Sequence, residues 1–213
     1  MDMAASPRRV GAETSQTRDA LLEAVAQMML EEGYASVTYR ALAAKAGVTP
    51  SLVQYYFPSL DDIFVAAIRR YSERNMEWLT EELQRRADDP LHALWESSWH
   101  ESTSALMTEF MALGNHRKSI RSEIAAVTDS MRRVQVEALV AKFGNDARLL
   151  ADLSFDAVVL LINGVPKLLG LEESVGVDTA HAELIAACER FLDAVEPRAK
   201  PRRRSKKAPP RRR

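Results

Sequence analysis

At 213 residues and 23.8 kDa the chain has room for one large domain or two small ones, and 46% hydrophobic with 28% charged residues is the make-up of an ordinary soluble globule. No run of about 18 apolar residues is present, no apolar segment follows Arg8 and Arg9, and the single Cys188 cannot form an internal disulfide. A membrane span, a secretory leader and an oxidising compartment are therefore all unexpected. The net charge of −1 conceals a division, because residues 1–196 carry 19 bases against 30 acids whereas 197–213 hold ten bases and no acid.

In chain order, residues 1–16 are polar and without period, and the expectation is a disordered arm. From Thr17 a helix is expected, with Leu21, Val25, Met28 and Met29 on one stripe and Gly33 as its stop. Thr38 is placed to cap a short helix, Tyr39–Ala46, with Leu42, Ala43 and Ala46 inward and Gly47 at its end. Thr49 and Pro50 open another, to about Tyr56, which Pro58 breaks. Ser59 caps a long fourth helix, to about Arg86, with Asp61 and Asp62 where the helix dipole favours acids. After Asp88–Asp89–Pro90 the pattern predicts one helix from Leu91 to about Leu113. Another runs from Ser119 to about Phe143, with Ile124, Val127, Met131 and Val134 at helical spacing. Residues 146–169 are strongly apolar in their second half, Gly170 and Gly176 come next, and a last helix runs from about Thr179 to Val195. With no convincing strand alternation, the chain reads as all-α, about nine helices, in which a three-helix unit precedes a larger bundle.

Residues 38–57 carry the functional signal. Two short helices joined by a tight glycine-containing turn, behind a longer first helix, describe a helix-turn-helix unit. The first helix of such a pair braces the DNA backbone and the second enters the major groove. Gln54 on the second can pair bidentately with adenine, tyrosine hydroxyls suit phosphate oxygens, and Leu42 with Val53 would hold the pair together.

The run from Ala43 through Gly47, Val48, Thr49, Pro50, Tyr55, Tyr56, Phe57 and Ser59 to Ile63 matches, without a gap, the motif of TetR-type transcriptional regulators. Residues 17–64 resemble that family's DNA-binding domain, with the helix-turn-helix at 38–57. The resemblance implies that Thr38, Tyr39 and Arg40 lie near DNA and that Thr49, Pro50, Ser51, Gln54, Tyr55 and Tyr56 belong to the recognition helix. Three positions depart from the family pattern: Ser51 replaces the usual Gly, Gln54 the usual first Tyr, and Leu60 a phosphate-touching Lys. Base preference therefore does not carry over. The resemblance also implies that residues 65–196 form a helical domain with a ligand pocket among its middle helices and a homodimer interface made by the last two long helices, Val158–Leu169 and Thr179–Val195.

Trp95, Trp99, Met107, Phe110 and Met131 are candidates for that pocket, competing with a plain core role at the same spacing. Few charges are expected to face it, which favours a bulky apolar ligand. The basic tail 197–213 reads either as a solvated, disordered segment or as an accessory contact to DNA phosphates. No enzyme, cofactor or metal site is expected: His100-Glu101 opens an H-E-x-x-H string that fails at Ser104, the other histidines show no ligand spacing, and no P-loop or nucleophile elbow is present. The reading is a cytoplasmic, dimeric repressor that binds a double-stranded operator and is released by a small apolar ligand. The alternative is a helical interaction protein that kept the domain but not operator binding.

Overall fold

Helix α1 spans Pro7–Glu32 in the computed structural model, which describes the backbone of residues 7–99, 101–145 and 153–197 and the side chains of these outside 7–15 and 101–104. Residues 7–16, expected to be disordered, are thus the first turns of a helix. Once Leu21–Met29 is anchored in the core, each further residue extends an existing helix for one hydrogen bond without the cost of nucleation, and Pro7 is tolerated where no amide partner is needed. Residues 1–6 lie outside the described residues.

Gly33, at φ 79°, stands after α1 and leads through a 3-10 turn at Tyr34–Ser36 into the pair of short helices. Thr38 Oγ1 accepts the Ala41 amide to start α2 (Tyr39–Ala46), and Gly47 ends it in the left-handed conformation, φ 68° and ψ 31°. Thr49 Oγ1 accepts the Leu52 amide to start α3 (Pro50–Tyr56). A reciprocal capping box between Ser59 and Asp62 starts α4 (Leu60–Arg85).

The helix expected from Leu91 to Leu113 is two: α5 (Pro90–Ser98) and α6 (Glu101–Gly114). Ser97 and Ser98 hydroxyls donate to the carbonyls of Leu94 and Trp95, and the Trp99 amide turns back to Glu96 and Ser97, so local bonds compete with the ladder and close the helix at Trp99. Helix α7 is Lys118–Phe143. Helix α8 (Phe155–Ser174) continues through Gly170 and encloses Pro166, and α9 is His181–Val195. Residues 146–152, the first part of the expected 146–169 segment, and 198–213, nearly all of the basic tail, lie outside the described residues.

Two apolar cores result. The first joins Leu21, Val25, Met28 and Met29 of α1 to Leu42, Val53, Phe57, Ile63 and Phe64, and it also takes in Leu106, Phe110 and Leu113 of α6 with Ile120 and Ile124 of α7. The second packs Leu79 and Leu83 of α4, Leu91, Leu94 and Trp95 of α5, Leu139 of α7, Phe155, Val158, Val159 and Ile162 of α8 and Leu192 of α9. Helix α4 is therefore common to both. Among the described residues no helix is long and apolar enough to cross a membrane.

The α8–α9 corner carries a pH-sensitive joint. His181 is buried, with Nε2 2.7 Å from Glu172 Oε2, and that bond, reinforced by Glu173, raises its pKa above the ordinary 6.5. A raised folded-state pKa stabilises fully below pH 6.5 and loses that contribution as pH rises through the folded value. The urea midpoint of the native chain should therefore exceed that of His181→Gln most at about pH 6, with the gap closing towards about pH 9.

Candidate nucleic-acid interface and interior cavity

Helix α3 presents one face and buries the other. Val53 is fully buried against Leu42, while Thr49, Pro50, Ser51, Gln54 and Tyr55 are exposed, Tyr55 to 77% of its surface. Tyr56 is half-buried with its ring edge-on to Tyr55 at 5.4 Å, and Phe57 is core. The Thr49 hydroxyl oxygen caps α3 and lies 3.1 Å from Ser51 Oγ, so these two side chains are already arranged with respect to each other.

On α2, Thr38 and Arg40 are exposed, whereas Tyr39 is half-buried and its hydroxyl donates to the Phe57 carbonyl at 3.1 Å. That bond pins the start of α2 to the end of α3. Burial, with the charge of Asp62, pushes the Tyr39 phenol up from 10 and keeps it a donor. Leu60 packs half-buried against the first core and offers no charge to a phosphate. A cation that the sequence reading missed stands nearby: Arg18 on α1 is exposed, with its guanidinium 5.3 Å from the centre of the Phe57 ring.

The second feature is a partly open cavity of about 320 Å³ lined by α4, α5, α6, α7 and α8. Its apolar wall includes Trp78, Leu79, Met107, Met111, Met131 and Leu160. Its polar wall includes Ser72, Asn75, Gln135, Asn163, Arg132 and Lys167. Of the five pocket candidates, the structure brings Met107 and Met131 to the cavity. Phe110 is completely buried in the first core, and Trp95 lies in the second with Trp99 against it, edge-to-face at 5.4 Å; none of these three lines the cavity. An aromatic at helical spacing is core as readily as pocket, and only the direction of its helix face decides. The two cations were not anticipated. Lys167 had a sequence signal, being the single charged residue between Asp156 and Glu172. Neighbouring the cavity, beyond Ser72 and Val127, a more open groove holds Glu73, Glu77 and the Arg69–Glu123 pair.

Helix α6 joins the two features. Met107 and Met111 face the cavity, while Leu106, Phe110 and Leu113 face the core under α1–α3. Glu109 of the same helix accepts the Tyr34 amide at 3.2 Å, beside Gly33. A second tie runs from the first turn of α4: Asp61 accepts bonds from Ser119 and Arg117 at the start of α7, and these hold its carboxyl below the usual 3.8. Arg69 and Glu123 add a bidentate pair between α4 and α7 at 2.7 and 2.8 Å.

A buried helix pair that offers Gln54, Tyr55 and a capping Thr-Ser pair to solvent, mounted on a helical bundle with an interior cavity, defines a helix-turn-helix DNA-binding protein. The family model for bacterial regulatory proteins of the tetR family matches residues 21–67. The chain is 28% identical over 141 residues to the HTH-type transcriptional repressor BepR of Brucella suis, covering 64% of this chain and 68% of that protein. It is 26% identical over 168 residues to the HTH-type transcriptional regulator AcrR of Shigella flexneri, covering 74% and 78%. In fold it is similar to a TetR-family transcriptional regulator of Rhodococcus, with a TM-score of 0.68 at 18% identity over 85% of this chain and 99% of that one. Residues 21–67 thus carry the DNA-binding domain of the tetR family, and the chain as a whole is similar to TetR-type transcriptional regulators.

Because Phe110 closes the core beneath α1–α3, Phe110→Ala should cost about 3–5 kcal/mol in urea unfolding. Met111→Ala, on the opposite and 40% exposed face of the same helix, should cost under about 1 kcal/mol.

Proposed function

We propose that the chain is a dimeric repressor that reads a two-fold operator through α3 and leaves it when a ligand fills the cavity between α4 and α8. The observation that carries this reading is the exposed row Ser51, Gln54 and Tyr55 on a helix whose other face is locked by Val53. Thr38 and Arg40 on α2 and Arg18 on α1 stand on its flanks as donors to phosphate, and Tyr39 serves chiefly to position α3. Tyr56 contributes its hydroxyl edge, and Thr49 and Pro50 set the entry of the helix. The cytoplasm, where DNA lies, is the compartment this reading requires.

Dimerisation is supported by what α8 leaves uncovered. Leu161, Leu168, Leu171 and Val175 are 45–75% exposed, and with Gly164 they recur at spacings of three and four, the seam of a helix that packs on another. Leu184 of α9 and Val177 are exposed as well. A single helix-turn-helix touches too few bases for useful specificity, so two copies held about 34–36 Å apart, or a multiple of that, give the reading its operator.

Val159→Glu would strike the core because Val159 is buried, whereas Leu161→Glu tests the seam. It should give folded monomers in sedimentation and abolish operator binding; a dimeric, DNA-binding Leu161→Glu would refute the interface. In gel shifts Gln54→Ala should relax preference at one base position per half-site, worth about 1–3 kcal/mol, and equal weakening on every sequence would remove Gln54 as a base reader. Deleting residues 197–213 should make the slope of log affinity against log salt shallower without changing the preferred sequence.

A further inference from the structure

Among the described residues the walls of the cavity carry charge of one sign. Arg132 and Lys167 both line it, none of the described aspartates or glutamates does, and neither cation has an ion-pair partner among those residues. Ser72 Oγ, on the same wall, is buried with no hydrogen-bond partner. The carboxamides of Gln135 and Asn163 are bonded to each other at 2.8 Å and brace α7 against α8 beside the two cations. Burial, with the charge of Arg132 added, holds the Lys167 ammonium below its usual 10.5. Two like charges facing one cavity cost the empty protein stability, and a bound anion removes that cost where a neutral or cationic guest does not.

We infer that the cavity takes an amphipathic organic anion, its carboxylate between Arg132 and Lys167 and its apolar body against Trp78, Met107, Met111 and Met131. It departs from the expectation of an apolar ligand, and it rests on the reading of the cavity as the ligand site. A volume of about 320 Å³ suits a guest at the small end of the roughly 300–1,000 Å³ typical of ligand pockets. Methionines and a tryptophan edge adapt to a flexible chain, so selectivity lies in the head group and tolerance in the tail.

Titration calorimetry of the full-length chain with decanoate, decanol and decyltrimethylammonium varies the head charge on one tail. Decanoate should bind at least about tenfold more tightly than decanol, and the cationic probe most weakly. Lys167→Met and Arg132→Met should each cost decanoate about tenfold and leave decanol unchanged, the retained decanol binding showing that the cavity is intact. Head-independent affinity, a preference for the cation, or no binding by any of the three overturns the inference. A gel shift of the same protein separates the two readings. Operator binding that persists while the decyl series fails refutes only the anion, whereas decanoate that binds and leaves the operator complex untouched refutes the ligand-release mechanism. Met107→Trp, which fills the cavity from α6, should abolish decanoate binding.

Discussion

Leu42 and Val53 meet between the two short helices, but the core beneath them is closed only when Leu106, Phe110 and Leu113 of α6 and Ile120 and Ile124 of α7 are added. A unit of a few short helices buries little core by itself, so packing from outside adds to what offsets the cost of ordering it. Helix α1, against which α2 packs, is therefore seated in part on helices that belong, by the sequence expectation, to the other domain. Thr38, Thr49 and Ser59 set where each helix begins, at about 1 kcal/mol per cap. The buried face of α6 packs against α1 and the 3-10 turn that follows it.

The same arrangement makes the cavity mechanically relevant. Met107 and Met111 form part of its wall, and Leu106, Phe110 and Leu113 of the same helix form part of the core under α1–α3, so displacement of α6 by a guest acts on both. Glu109 on the Tyr34 amide and Asp61 on Arg117 and Ser119 tie the connection before α2 and the first turn of α4 to α6 and α7. In the proposed mechanism a ligand would shift the equilibrium by its differential affinity for two arrangements alone, so a small rotation of a shared helix would be sufficient. Core packing, being close to crystalline in density, would transmit such a rotation rather than absorb it.

Local chemistry was legible in the chain and long-range facing was not. The three caps, the glycine stop at Gly47 and the recognition helix come from residue types at fixed offsets, which is short-range physics. The break at Trp99 was missed because two serines, each harmless in a helix singly, together satisfy carbonyls that the next turn needed. The N-terminal turns of α1 were missed because polar residues carry no period; they are helical because they extend the turns that Leu21–Met29 anchors in the core. Trp95 and Phe110 were expected on one helix and stand on two, and which face meets the cavity and which the core depends on the orientation of α5 and α6 in space. Lys167 and Arg132 come to one cavity only when α7 and α8 are packed against each other; a lone lysine in the apolar run 157–171 was the available signal.

The shared core is tested most directly by native-state hydrogen exchange as a function of denaturant on the full chain, tracking the amides of Leu42, Val53, Leu106, Phe110 and Leu113. If α6 closes the core of the helix-turn-helix, these amides open together with one free energy and one denaturant dependence. Exchange of residues 39–57 through a separate, lower-energy opening, with α6 still protected, would contradict the account.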